Sequence, residues 1–432
     1  MFKHFRFSVR MGRAIRFLLL ISVFHAAPAN LQAGELLSLV DLIREIEARN
    51  PELAAAGSAL EAAENRVPFA GALPDPMLTV VVQNVGSAYS VGREEMSMAG
   101  VSVSQMFPFP GKRTLGREAA RLEASQMAAV REETRQRVLY EAKRLYFELA
   151  MVRGSQAILI DMEFLLRVVT ETAEARYGVG EGQQQDLLRA QTERIRLTDR
   201  RIRLDQQEKL LKAAINALML NPPNAPLGDP IPIRTPLPKY TAPEIEAAAM
   251  ARAPMILASD RNVAAKEKIL ERARRERFPD FELSLGYFDR GGFENVYEAM
   301  VRLNLPVYFR ARQGAGIREK AADLNGARET FSQTQSRIRR EASDLQREIE
   351  TSDRLLSLIE GGLLPQARLT FESARASYSV GRSDFQTLLT IVTTLFEDEI
   401  VALELQFRYQ SALAGMEALT GLNLIRPGES LP

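Results

Sequence analysis

The sequence of 432 residues predicts a mainly α-helical chain with a small β part, built from two similar halves. The first sign is a repeated phrase. ARYGVGEG at 175–182 returns as ASYSVGRS at 376–383. At one constant offset Ala175, Tyr177, Val179, Gly180, Gln185, Leu187 and Leu188 fall on Ala376, Tyr378, Val380, Gly381, Gln386, Leu388 and Leu389. The same offset carries Arg117 and Glu118 onto Arg318 and Glu319, and Ala217 and Leu218 onto Ala418 and Leu419. So long a period denotes two copies of a large unit, here 34–230 and 231–432, rather than a solenoid of small ones. The second sign is a short alternating segment in each half. The third is a long stretch rich in Ala, Glu, Arg, Gln and Leu after each of them.

Residues 1–33 stand outside both halves. Lys3, Arg6, Arg10, Arg13 and Arg16 precede an apolar run at 17–24 that is too short to span a bilayer, and small residues follow. This reads as a secretory signal peptide, cleaved after Ala33 or after Ala29. With no Cys in the chain, no N-terminal lipid attachment is expected. Removing those five cations from 56 Lys+Arg leaves 51 against 55 Asp+Glu, a formal charge of −4. A nucleic-acid partner would require a basic surplus gathered on one face. The only histidines, His4 and His25, lie in the same segment, so the remainder has neither His nor Cys. Serine and cysteine triads and imidazole or thiolate zinc sites are thereby excluded. No catalytic residue, cofactor or metal site is expected, and the chain is read as not an enzyme.

Each half then unfolds in the same order. A helix over 36–67 opens the first and one over 242–278 the second; Pro74–Asp75 and Pro279–Asp280 end them. A β-hairpin follows, at 77–107 and at 281–305. In the second, Phe281, Leu283, Leu285 and Tyr287 alternate with Glu282, Ser284 and Gly286, and Tyr297, Ala299, Val301, Leu303 and Leu305 alternate with Glu298, Arg302 and Asn304. Period-2 alternation gives one apolar face and one polar face. Aromatics mark both ends: Tyr89, Tyr287, Phe288, Phe293 and Tyr297 toward the turn, Phe107, Phe109, Phe278, Tyr308 and Phe309 toward the helices. Strands of about 9 to 11 residues with aromatic girdles fit a transmembrane β-barrel. Four strands cannot close one, so several chains must share it. Met77, Met96, Met98 and Met106 read as lipid-facing or core side chains before soft-metal ligands.

Helical hairpins come next, at 113–220 and 312–420, after the breakers PFPGKR and PVYFRARQG. The stretch 113–176 has no proline and, at 1.5 Å per residue, extends roughly 95 Å. Gly361, Gly362 and Pro365 predict a kink in its counterpart. Gly180 and Gly381 suit the tight turns at the two far tips.

These residues resemble the TolC-like outer-membrane efflux proteins over essentially the whole mature chain. The resemblance rests on the duplicated architecture and on YGVGEGQQQDLLRAQTE at 177–193 and YSVGRSDFQTLLTIVTTLFE at 378–397. SQMFPFPGKR at 104–113 after PDPM at 74–77 is similar to the heavy-metal branch of that family. The resemblance implies a homotrimer, with four strands per chain in a twelve-stranded outer-membrane barrel and the helical hairpins in a periplasmic helical barrel. It also implies a periplasmic adaptor protein and an inner-membrane pump, of the resistance-nodulation-division type, as partners. The duct would be passive.

Three sets of residues become candidates. Val179, Gly180, Glu181 and Gly182 with Val380, Gly381, Arg382 and Ser383 would form the adaptor-docking tips. Tyr177, Asp186, Tyr378, Asp384 and Arg176 would form the periplasmic gate, although Asp186 has Thr387 as its counterpart rather than an acid. Glu282, Glu298, Arg302 and Asn304 would line the barrel lumen. Two rivals are a periplasmic adaptor, which would carry one hairpin, and a structural coiled coil of the envelope, which would show sustained heptads and no strand hairpins.

Overall fold

The computed structural model describes residues 36–86, 90–180, 182–233, 235–237, 240–422 and 424–425. The expected signal segment, Tyr89 and Glu181 lie outside the described residues. Helices α1 (Leu39–Arg49) and α2 (Pro51–Gly71) lead to strands β1 (Met77–Gln83) and β2 (Met98–Phe107), then to α3 (Lys112–Gly178) and α4 (Gln184–Leu218). The order recurs as α5 (Ala242–Arg252), α6 (Pro254–Arg275), β3 (Phe281–Arg290), β4 (Phe293–Leu303), α7 (Arg312–Leu358), α8 (Leu364–Ser379) and α9 (Phe385–Thr420). A π-helical turn, Ile359–Leu363, joins α7 to α8 where the glycine pair and Pro365 predict a kink.

The opening helix of each half is two helices, not one. Pro51 and Pro254 force the residue before them out of the helical region, and Asn50 and Ala253 accordingly have ψ 123° and 121°. Asn50 turns the break into a cap, its side-chain oxygen accepting from the Glu52 and Leu53 amides at 3.0 and 3.2 Å.

Among the described residues two large apolar cores hold the helices, with a small third one at Leu356, Ile359, Ala402 and Leu405. The larger gathers α1, α3, α4, α5, α6, α7 and α9 around fully buried Leu42, Ile46, Tyr146, Leu149, Ile215 and Leu413. The Tyr146 hydroxyl lies 2.9 Å from the Leu37 and Ile231 carbonyl oxygens, and burial raises its pKa to about 12. Lys143 pairs with Glu417, which also accepts the Leu424 and Ile425 amides at 2.6 and 2.7 Å. The second core runs toward the tips. There Leu159, Met162, Leu166, Val169 and Ala173 of α3, spaced three or four apart, join Leu388, Val392, Leu395 and Phe396 of α9. Among the described residues no helix is long and apolar enough to cross a membrane. On α4, Leu188, Ile195 and Ile202 stay exposed at seven-residue spacing.

At the other end the four strands form one antiparallel sheet in the order β1-β2-β3-β4. The sheet is open, with β1 and β4 as its edges.

Candidate functional site

Two regions carry the candidate residues, the sheet and the hairpin tips. In the sheet, cross-strand partners share a face. Leu283↔Val301 and Leu285↔Ala299 in the β3–β4 ladder, Val103↔Leu285 between β2 and β3, and Leu78↔Val103 between β1 and β2 therefore make one continuous apolar face. Glu282↔Arg302 and Gly286↔Glu298 lie on the other, where the Arg302 guanidinium donates to the Glu282 carboxylate at 3.1 Å. Asn304 stands one residue past β4, its amide donating to the Asp280 carbonyl at 3.3 Å.

The register corrects two expectations. Met77, Met98 and Met106 pair with Ser104, Gln83 and Glu282, so they share the polar face and not the apolar one. Composition suggested otherwise because methionine is apolar, but strand parity decides which way a side chain points. Phe288 likewise leaves the aromatic girdle for the polar face. It is 4% exposed, and its ring fills the space above Gly286, where a Cβ would stand 2.6 Å away. Tyr287 and Tyr297 keep the girdle position on the apolar face, their rings 5.4 Å apart. At the helix end Phe107 stacks on Phe281 and Phe109 on Phe278, at 5.2 and 4.5 Å. β1 has 7 residues, shorter than the expected span.

At the tips the repeated phrase makes a repeated turn. Gly180 donates to the Tyr177 carbonyl at 3.0 Å and Gly381 to the Tyr378 carbonyl at 3.1 Å, with φ +79° and +74°. Only glycine adopts that left-handed backbone without strain. Val179 and Val380 stand exposed beside them.

The gate candidates do not form one symmetric cluster. Tyr378 is buried in the core that the two hairpins share near their tips, with its ring 6.0 Å from that of Phe385, whereas Tyr177 is exposed. Of the two rings expected to pack between neighbouring hairpins, that of Tyr378 lies in this shared core, which gathers Ala173 and Ala190 of the first hairpin with Phe371, Ala374 and Phe385 of the second. Arg176 crosses from the first hairpin to the second, donating to the Tyr378 carbonyl at 2.7 Å with its guanidinium carbon 5.2 Å from the ring centre. Burial, then the nearby Asp186 carboxylate, raise the Tyr378 pKa, while Arg176 opposes them. Arg176, Asp186 and Tyr378 thus come together.

Asp384 has a different task. As the N-cap of α9 it accepts the Thr387 amide at 2.6 Å, and that hydrogen bond lowers its pKa. Arg382 makes no side-chain hydrogen bond or ion pair with the described residues. Sequence reasoning missed a second bridge between the hairpins, where the Arg189 guanidinium donates to the Gln386 side chain at 2.6 Å. The matched pair Gln185 and Gln386 was its only signal.

A four-stranded open sheet at the end of two long helical hairpins is the protomer fold of outer-membrane channels. VceC, an outer membrane protein of Vibrio cholerae, superposes with a TM-score of 0.77 at 18% identity, covering 89% of this chain and 96% of that one. CusC gives 0.76 at 15% identity, covering 88% and 92%, and the open state of the MtrE outer membrane channel of Neisseria gonorrhoeae gives 0.73 at 15%, covering 91% of each. No curated protein matches the sequence. Residues 42–219, the greater part of the first half, match the family model described as outer membrane efflux protein. That match covers less than half of the chain, and the solved structures share the fold over nearly all of it.

Proposed function

We propose that this protein is the outer-membrane duct of a tripartite efflux system, passing substrate passively from a periplasmic adaptor and an inner-membrane pump to the exterior. The observation that carries the reading is the open sheet with one apolar face. In lipid its two edges would leave backbone groups unpaired, and only closure with other copies removes them. Three copies give the barrel of the resemblance, with Leu283, Leu285, Val301 and Leu303 toward lipid and Glu282, Glu298, Arg302 and Asn304 toward the lumen. The exposed stripe of Leu188, Ile195 and Ile202 supports assembly as well, because an apolar row at heptad spacing suits a neighbouring helix. Val179, Gly180, Glu181 and Gly182 with Val380, Gly381, Arg382 and Ser383 meet the adaptor. Arg176, Asp186 and Tyr378 hold the periplasmic mouth closed. The duct makes and breaks no bonds.

Heavy-metal cations are the substrate class that the resemblance of 104–113 implies. A deletion strain sensitised to silver, copper, zinc or cobalt but not to organic drugs would support it, and the converse would overturn it. The duct itself is tested by electrophoresis and bilayer recording. A trimer that resists SDS when unboiled and conducts ions without partner or nucleotide is expected. A soluble chain that forms no channels would favour the adaptor or coiled-coil reading instead.

A further inference from the structure

The two halves of the protomer fix how one copy meets the next. Superimposing Pro279–Asp280 on Pro74–Asp75 lays β3 over β1, and superimposing Pro306 on Pro108 lays β4 over β2. Both alignments are chosen on residues outside the strands. Together they carry the first hairpin's pair Leu78↔Val103 onto Leu283↔Val301, which is a pair of the second hairpin's ladder. The halves therefore repeat in register as well as in order.

One junction between halves lies inside the chain, where β2 pairs with β3 through Val103↔Leu285, Ser102↔Gly286 and Gln105↔Leu283. The equivalent junction, β4 with β1, cannot form within the protomer because those strands are the two edges of the sheet. We infer that β4 of one subunit pairs antiparallel with β1 of the next in the register of the internal junction: Val301 opposite Val80 of the partner subunit, Met300 opposite Val81 of the partner subunit, and Leu303 opposite Leu78 of the partner subunit. This rests on the barrel reading above and specifies it residue by residue.

Two independent observations agree with that register. The first is facial parity. Val301 and Leu303 belong to the apolar face of β4, and Leu78 and Val80 to the apolar face of β1, so the deduced pairs keep both faces continuous. A shift by one residue would put every apolar side chain opposite a polar-face one. The second is an ion pair that is complete at one junction and incomplete at the other. Inside the chain, Asp280 accepts from the Phe109 amide at 2.6 Å and from the Lys112 ammonium at 2.9 Å, and Lys112 is buried. Asp75, the counterpart of Asp280, is exposed and has no hydrogen bond or ion pair with the described residues. On the other edge, beyond β4, Arg310 and Arg312 are exposed cations without a carboxylate partner among the described residues. Closing β4 on β1 brings these halves of the missing pair to one place.

The absence of native cysteine makes the register directly testable in the full chain. The double variants Val301→Cys with Val80→Cys and Met300→Cys with Val81→Cys test one pair on each face. Val301→Cys with Leu78→Cys, and Val301→Cys with Val82→Cys, keep the same face but displace the register by two residues. After mild oxidation of the detergent-solubilised protein, the in-register pairs should give covalent dimers and trimers on a non-reducing gel in several-fold higher yield than the displaced pairs, because a disulfide needs closely opposed Cβ atoms. Higher yield from a displaced pair would overturn the register. The unsubstituted chain, sized in the same detergent, separates the two levels of the inference. If it is a trimer and no pair crosslinks, the β4–β1 junction is wrong; if it is a monomer, the shared barrel itself fails.

Discussion

At the end of α3, Tyr177 leaves 47% of its surface in solvent, whereas at the end of α8 the equivalent Tyr378 leaves 5%. The turns that follow are the same, with glycine at positive φ and the same short hydrogen bond back to tyrosine. What differs is the packing below. Phe385 opens α9 and closes over Tyr378, while the matching position before Asp186 and Leu187 is Gln184, which has no ring to offer. Duplication preserved the backbone, where only glycine fits, and let the side chains around it diverge. The second tip became a packed cap on its hairpin. The first tip supplies the cation, Arg176, that reaches across to it.

The largest test of this contrast removes each ring. Truncating a buried aromatic costs about 3 kcal/mol or more, whereas a surface change costs within about 0.5 kcal/mol. Tyr378→Ala should therefore lower the thermal midpoint of the helical signal clearly and Tyr177→Ala hardly at all. Equal shifts would mean that the tips are equivalent in the assembled protein, for instance because a neighbouring copy covers Tyr177.

A somewhat smaller effect is expected from the turns. Valine in the left-handed region costs about 1 to 2 kcal/mol at either glycine. Gly381→Val should cost more than Gly180→Val, since a Cβ at Gly381 stands 3.2 Å from an Arg176 nitrogen, while the space at Gly180 is open. Circular dichroism melts of the two variants check the order. If docking uses both tips, each variant should also abolish efflux while the trimer yield stays intact.

The gate reading is sharpened by replacing the bridging cation rather than a tyrosine hydroxyl. Arg176→Ser removes the bond to the Tyr378 carbonyl and the cation above its ring, contacts worth together about 1 to 2 kcal/mol. Single-channel conductance without the partner pump should rise. Arg382→Ser, at a side chain with no described partner, should leave it unchanged. The reverse result would move the latch to the second tip.

How much of this the sequence disclosed depended on the length scale. Helix and strand types were legible because period 3.6 and period 2 are written in consecutive residues, as in Leu283 and Leu285 against Glu282 and Ser284. The breaks at Pro51 and Pro254 were equally local, yet the Ala- and Glu-rich composition on both sides masked them. What composition could not supply was the direction of individual side chains. Met77, Met98 and Met106 turn to the polar face because the strand register requires it, and Phe288 because Gly286 on its own strand and Gly100 opposite on β2 leave a hollow there. At the tips, Tyr177 and Tyr378 read alike for the same reason. Burial is decided by Phe385 and Arg176, and no spacing rule connects Arg176 to a residue so distant in the chain.

The smallest expected effect lies in the caps, where the two tips differ by one side chain. Asp384 accepts the Thr387 amide at the start of α9, but Gln183 caps no backbone amide at the start of α4, its side-chain oxygen accepting from the Gln185 side chain instead. The hydrogen bond lowers the Asp384 pKa, so the cap is ionised in the folded chain at pH values where an unfolded carboxyl has begun to protonate. The sign follows: this contribution is fully present above the ordinary aspartate range near about 3.9 and is lost as pH falls through the lowered value. Asp384→Asn keeps an acceptor oxygen but cannot titrate, and it should flatten the acid limb of the melting curve while leaving the neutral-pH midpoint nearly unchanged. Gln183→Asp should give the first tip what the second already has, stabilising α4 by about 1 kcal/mol at neutral pH, since a good N-cap contributes about that much. If Gln183→Asp gains nothing, the start of α4 is already held by a partner outside the protomer, and the looser first tip would be the one that docks.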